Sequence, residues 1–247
     1  RHQTTNARKV ALVTGAGKRL GRAIALATDY QTIREVIFPG GVLSTPLPKA
    51  FSDFHAGDIP EPVYDLAAAK AELDKSKYAG QEIPITLGYV AGTKFEEEIS
   101  LLLQANLEQL GFVVTQQPDP WNRITEIAGK VETTPAVNQI FFGPTYPSPD
   151  SMFFTQYHSK AAGTWASMEW IQDPEVDALI DAARATGDTA KQAEIYKELQ
   201  HKLVDMQSDV FLLTQTVQHA MDKCLTGFNA VPMQSFDYDF TRYQWKC

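Results

Sequence analysis

The chain has 247 residues, of which 44% are hydrophobic and 11% aromatic, so it can bury a sizeable core as one large or two small domains. Its formal net charge of −8 argues against nucleic acid as a general partner, because phosphate binding needs a basic surface. No run of 18 apolar residues occurs, so the sequence predicts no transmembrane helix.

Cysteine and histidine give no metal-binding pattern. Cys224 and Cys247 belong to no CxxC motif, and the five histidines are scattered without the spacing of metal ligands. The sequence therefore predicts no metal, and a disulfide between the two cysteines stays open. No signal peptide is visible, as in the mature form of an exported protein.

The first predicted strand, Val10–Val13, runs into a glycine turn and then a helix. Gly15 and Gly17 allow a tight turn close to a phosphate, and Gly21 lets the helix pack near the strand. The segment Thr14-Gly15-x-x-x-Arg19-x-Gly21 resembles the N-terminus of short-chain dehydrogenases, especially the pteridine-reductase-like members. This resemblance covers residues 8–28 and implies NADPH. The candidate cofactor-binding residues are Thr14, Gly15, Gly17, Lys18, Arg19 and Gly21.

The rest of such an enzyme is missing from the sequence. A short-chain dehydrogenase needs a Tyr-x-x-x-Lys pair to protonate the carbonyl, and no tyrosine here has a lysine four residues later. The nearest pair, Tyr157 and Lys160, is one residue too short. A second strand over residues 35–38 is not closed by an acidic residue or an arginine that could hold a ribose. No catalytic residue is predicted, and the NADPH-dependent reductase is kept as an alternative function.

The middle of the chain predicts a parallel βαβ unit. A loop rich in glycine and proline leads to a short helix capped by Asp65. A strand over residues 82–89, a helix over 94–110 with Gly111 as its cap, and a strand over 112–115 follow with short loops. Strand, helix and strand in this order predict a parallel pair with a right-handed crossover.

The last third continues the α/β pattern. The predicted elements are a helix over 119–130, a strand over 139–142 ending in a rigid proline-rich loop at 143–150, helices starting at Pro174 and Thr189, and a strand over 209–215.

From about residue 25, five segments in order resemble one family. It is the peptide/nickel-binding class (family 5) of the large periplasmic solute-binding proteins of ABC importers, and the match is to their second lobe. The matching segments are residues 27–33, 64–73, 107–114, 173–180 and 190–203.

The resemblance implies an α/β lobe with a mixed, mainly parallel sheet flanked by helices, preceded by a Rossmann-like βα unit. The implied domains are a leader at 1–28 and a lobe at 29–247, as in a chimera joined within a helix. The implied function is non-catalytic binding of a small polar solute, a peptide, opine, sugar or metal chelate, without a cofactor. Its implied partner is an ABC permease, and its location is periplasmic or extracellular. A scaffold without function is the third alternative.

Candidate ligand-binding residues follow from the same resemblance and from strand ends. Thr145 stands where peptide-binding members carry the aspartate that pairs with a peptide amine, which argues against ligands held through that amine. For Asp150 a helix N-cap is the alternative, and for the tryptophans a core position is the alternative. The run at 96–98 is interpreted as a solvated helix start without a site role. The candidates are Tyr89, Trp121, Thr145, Tyr146, Asp150 and Trp165.

Overall fold

The computed structural model of the protein describes residues 2–14, 18–229 and 240–247. Five strands form one sheet in the order β3-β2-β4-β1-β5, and two short strands form a second sheet. The strands are β1 (His2–Thr14), β2 (Ile83–Val90), β3 (Phe112–Asp119), β4 (Val137–Phe142), β5 (Asp209–His219), β6 (Leu225–Thr226) and β7 (Gln244–Trp245).

Four of the five strands in the large sheet point the same way. β2 pairs in parallel with β3 and with β4, whereas β1 pairs antiparallel with both β4 and β5. The sheet is therefore mixed and mainly parallel, as predicted, with β1 alone reversed.

Eight helices belong to the described part of the chain. They are α1 (Lys18–Leu26), α2 (Tyr30–Thr32), α3 (Leu66–Asp74), α4 (Lys94–Glu108), α5 (Trp121–Ile127), α6 (Asp150–Tyr157), α7 (Pro174–Ala185) and α8 (Thr189–Met206). The predicted caps Asp65 and Asp173 each accept hydrogen bonds from backbone N–H groups in the first turns of α3 and α7.

The alternation of side chains along β4 divides the core between the two faces of the sheet. Ile140 and Phe142 lie in one apolar cluster with residues of α5 to α8, whereas Val137 lies in a second cluster with residues of α1, α3 and α4. Helices therefore cover both faces, which is the predicted α/β architecture.

Two local predictions differ from the structure. Residues 35–38 do not form a strand, because Asp29 caps α2 through the backbone N–H of Thr32 and the helix continues as a π-helical turn over Ile33–Ile37. Helix α6 was not predicted, because the prolines before it favour a loop and its apolar residues are not confined to one helical face.

The N-terminal unit also differs from the Rossmann-like arrangement in its pairing. The predicted strand and helix are present as β1 and α1. In a dinucleotide-binding fold the first strand pairs in parallel with its neighbours, but β1 lies between β4 and β5, which both run against it. β1 thus belongs to the same sheet as the rest of the chain, and the predicted domain boundary at residue 28 stays a prediction.

Candidate functional site

Three parallel strands end together at one edge of the sheet. Val90 at the end of β2 is in register with Asp119 at the end of β3, and the Ala91 N–H continues the pairing to the Asp119 carbonyl. β4 runs in parallel beside β2 and ends at Phe142. Because open α/β sheets bind ligands beyond the carboxyl ends of their parallel strands, this edge is the candidate site.

The predicted ligand-binding residues all belong to this edge or to the loops that leave it. Tyr89 is the penultimate residue of β2, Trp121 begins the helix after β3, and Thr145 and Tyr146 lie in the loop after β4. Thr145 and Tyr146 are exposed, whereas Tyr89 is buried. Burial and the nearby charge of Glu97 raise the pKa of the Tyr89 phenol, so Tyr89 is neutral at ordinary pH.

The two predicted tryptophans form one aromatic unit. Trp121 and Trp165 meet edge to face with ring centroids 5.0 Å apart, and Trp165 also packs on Phe142 at 5.7 Å. Trp165 is half-buried against the core, while Trp121 keeps 46% of its surface exposed. Trp165 thus supports the ring of Trp121, which is free to contact a ligand.

A polar cluster lies at the start of α6. The Tyr146 hydroxyl donates to Asp150 Oδ2, and the Arg184 guanidinium lies with its Nε atom 2.8 Å from Asp150 Oδ1. Burial and the Asp150 carboxylate raise the pKa of Tyr146 to about 12. Asp150 is the first residue of α6, whose N-cap position is held by Pro149 without a side-chain hydrogen bond, so the N-cap alternative for Asp150 is wrong.

Sequence reasoning missed two residues of this edge. Arg184 lies 34 positions after Asp150 in the sequence, and no local pattern connects them. Glu96 was interpreted as a solvated charge, but only 3% of it is exposed, and its Oε2 accepts a 2.7 Å hydrogen bond from the Val90 N–H. The spacing Thr93-x-x-Glu96 is that of a capping box, and this signal could have indicated a tethered carboxylate.

Glu96 gives the first prediction, a pH-dependent stability. Burial raises the pKa of Glu96 from 4.5 to about 7, although the Val90 hydrogen bond lowers it in part. Between these values the folded chain holds a proton that the unfolded chain releases, so rising pH favours unfolding. We expect the wild type to lose about 3 kcal/mol at most across this window. Glu96→Gln, which keeps the acceptor for Val90, should lack that loss in urea denaturation at several pH values.

The neighbouring Glu97→Gln is the matched control, because Glu97 is exposed on the same helix turn. It should keep the pH dependence of the wild type. Parallel stability curves for Glu96→Gln and the wild type between pH 4.5 and 7 would contradict the prediction.

Those predicted cofactor-binding residues that the structure describes lie at the opposite edge of the sheet. Thr14 is paired with Val137, the first residue of β4, and Gly15 and Gly17 lie outside the described residues. Lys18 and Arg19, predicted to hold a 2′-phosphate, instead form ion pairs with Asp205 at 2.7 Å and Glu72 at 3.3 Å.

Gly21 has a packing role that the structure makes explicit. A Cβ atom at this position would lie 1.9 Å from the carbonyl oxygen of Gln207, at the C-terminal end of α8. The glycine was predicted to allow close packing of the helix on the strand, and the close contact is made with Gln207 instead. Gly21 therefore has a structural explanation that needs no nucleotide.

A cavity of about 380 Å³ lies at this opposite edge, between α1, the loop at 59–63 and the start of β5. None of the six predicted ligand-binding residues lines it. We place the candidate site at the carboxyl ends of the parallel strands, because the predicted ligand-binding residues lie there and open α/β sheets bind ligands at that edge.

Within residues 18–229 and 240–247 no helix is long and apolar enough to cross a membrane. In the same part of the chain no group of three or more histidine, cysteine or acidic side chains is placed to hold a metal ion.

The fold is an open, mainly parallel α/β sheet with helices on both faces. The model of the family "Bacterial extracellular solute-binding proteins, family 5 Middle" matches residues 15–164, more than half of the chain. The chain belongs to this family. The match includes α1 and gives the dehydrogenase alternative no support.

Curated relatives resemble the chain over part of their own length. The probable D,D-dipeptide-binding periplasmic protein DdpA of Escherichia coli is 27% identical over 216 residues, which are 87% of this chain and 41% of the relative. The oligopeptide-binding protein AppA of Bacillus subtilis is 23% identical, over 87% of this chain and 42% of the relative. The chain therefore spans about two fifths of the length of these relatives.

Solved structures agree on the fold. AppA of Bacillus subtilis in complex with a nonapeptide superposes with a TM-score of 0.84 at 19% identity, over 100% of this chain and 52% of that chain. A dipeptide-binding protein from Pseudoalteromonas in complex with Met-Leu gives 0.82 at 18% identity, over 99% and 50%.

Proposed function

We propose that this chain binds a small polar solute, of the peptide, opine, sugar or metal-chelate class, for delivery to an ABC importer. The proposal is carried by the common edge of β2, β3 and β4, where the exposed Trp121 and Tyr146 lie beside buried polar groups. The chain that has this edge belongs to the solute-binding family. The chain would act without chemistry and without a cofactor, with the importer's permease as its partner.

A location outside the cytoplasm is part of the proposal. Cys224 and Cys247 form a disulfide that ties the segment after β5 to the C-terminal residue. Disulfides persist in oxidising compartments such as the periplasm and the cell exterior. The name of the Escherichia coli relative places that protein in the periplasm.

Thr145 narrows the ligand class. A threonine has no charge to pair with an ammonium group, so binding through a free amino terminus is disfavoured relative to binding through neutral or anionic groups. Peptides recognised by other features, and sugar-like or opine-like solutes, agree better with this loop.

Trp121→Ala tests the location of the site. We expect ligands from a panel of blocked peptides, opines and sugars to bind the wild type and to bind Trp121→Ala roughly tenfold more weakly, because the exposed ring loses its contact area. Isothermal titration calorimetry measures both affinities.

Trp245→Ala is the matched control, since Trp245 is 66% exposed on β7 and is not a candidate ligand contact. Equal losses in both variants would argue against the strand-end site. NADPH belongs in the same panel, and its binding with turnover of a carbonyl substrate would overturn the proposal.

A further inference from the structure

Arg184 is held in place on two sides at the candidate edge. It lies in the last turn of α7, with its Nε atom 2.8 Å from Asp150 Oδ1. The centre of its guanidinium group lies 4.2 Å from the ring centroid of Phe154 in α6. The contact with Phe154 and the ion pair together restrain the guanidinium group, which reduces the entropy that a free arginine loses on binding.

The outer edge of this guanidinium group is available. Within residues 18–229 and 240–247 the two terminal nitrogens of Arg184 donate no hydrogen bond to the protein, and 42% of the side chain is exposed. An arginine engaged through Nε on one side still offers two parallel N–H groups on the other, which is the geometry that binds a carboxylate with two hydrogen bonds.

Tyr196 gives a second, independent indication of a binding role. Its side chain is fully buried, yet its hydroxyl makes no hydrogen bond with the described residues. The pKa of this hydroxyl is raised by burial and by the charge of Asp150, and it is lowered by Arg184. Buried hydroxyls without a partner are rare, so Tyr196 is an unsatisfied donor within the charge environment of Asp150 and Arg184.

We propose that Arg184 is a specificity-determining residue that binds a carboxylate of the solute, with Asp150 and Phe154 as the residues that position it. This inference rests on the proposed function, because it names the chemical class of ligand for the same edge. With the neutral Thr145 in the adjoining loop, the site would prefer anionic over cationic groups. Asp150 is part of the same charge cluster, since its Oδ2 accepts from the Tyr146 hydroxyl and its Oδ1 forms the ion pair with Arg184 Nε.

Four forms of one tripeptide test the proposal on the full chain. Ala-Ala-Ala is used with its amino terminus free or acetylated, and with its carboxyl terminus free or amidated. We expect acetylation to change the affinity little and amidation to weaken it roughly tenfold or more, because amidation alone removes the charged acceptor. Equal affinities for the acid and amide forms would overturn the role of Arg184.

Three variants separate recognition from a structural role. Arg184→Lys keeps the positive charge but loses the parallel N–H pair, and Arg184→Gln loses the charge. Both should lose the preference for the free carboxylate, so that the acid and amide forms bind with similar affinity. Arg19→Gln, which removes an exposed arginine of a similar ion pair at the opposite edge, should keep the preference. An unchanged preference in Arg184→Lys and Arg184→Gln would overturn the proposal.

A second measurement keeps this inference separate from the proposed function. If no tripeptide binds, the proposed function fails for peptides, and glutarate is then titrated while the Nε–Hε signals of the arginines are followed by NMR. The inference predicts a saturable shift of the Arg184 signal and none of the Arg19 signal. An Arg184 signal that does not move would overturn it.

Discussion

Gly21→Ala is expected to destabilise the chain by about 3 kcal/mol, although alanine is the better helix former. The added methyl group would lie 1.9 Å from the Gln207 carbonyl oxygen and 3.1 Å from its carbon, and both are backbone atoms that cannot rotate away. Relief requires α1 to move away from the end of α8, which opens the packing of Ala23 and Ile24, both fully buried. Urea denaturation followed by circular dichroism measures the loss.

Gly187→Ala is the control for this prediction. A Cβ at Gly187, in the loop between α7 and α8, meets no atom within 4 Å, and its φ is not in the left-handed region. We expect its stability to stay within about 0.5 kcal/mol of the wild type or to rise slightly. A neutral or stabilising Gly21→Ala, as helix propensity alone would give, would show that the close contact with Gln207 does not exist.

Gln200→Leu is expected to cost about 2–4 kcal/mol, although it replaces one buried side chain by another of similar size. Gln200 is fully buried in α8. Its Oε1 accepts from the Ala56 N–H at 3.1 Å, and its Nε2 donates to the Phe54 carbonyl at 2.8 Å. Leucine would leave both backbone groups of this loop without those partners, and chemical denaturation should show the loss.

Gln109→Leu is the matched substitution at an exposed position, where the amide only bonds the carbonyl of Ala105 one turn before it. It should change the stability by no more than about 0.5 kcal/mol. Hydrogen exchange adds a local readout, because the amide of Ala56 should lose protection in Gln200→Leu before the sheet does. A Gln200→Leu protein as stable as Gln109→Leu would contradict the assigned role.

The elements that rest on local signals were predictable. The helix at 94–108 has its apolar face at 3.6-residue spacing, and α7 has an aspartate cap followed by proline. These signals involve residues a few positions apart, which is why α3, α4, α7 and α8 and all of β2 to β5 were predicted within a few residues. The prediction of a strand at 35–38 was wrong because a short apolar run has no periodicity that separates strand from helix.

The glycine fingerprint shows the limit of a local motif. The strand and the helix are present, and so is the need for a glycine at position 21. Gly21 permits a close contact with Gln207, which lies 186 residues later in the chain. That contact depends on how α8 packs. The direction of β1 likewise depends on β4 and β5 rather than on its own residues.

The candidate site divides in the same way. Tyr89, Trp121 and Tyr146 could be predicted, because the ends of parallel strands meet at one edge whatever their sequence. Arg184 could not, because an ion pair across 34 residues depends on the packing of α6 and α7. For Glu96 the capping-box spacing indicates a tethered carboxylate, but its burial depends on the packing of α4.

By itself the sequence determined the order of the strands and helices, the α/β class and the resemblance to a solute-binding family, because periodicity, caps and segment order are written in neighbouring residues. Only the tertiary structure decided that β1 is antiparallel, that Lys18 and Arg19 are engaged in ion pairs, and that Arg184 lies beside Asp150 with its outer edge free. Strand pairing, burial and charge pairing join residues far apart in the chain, and their energies exist only once the helices have packed on the sheet.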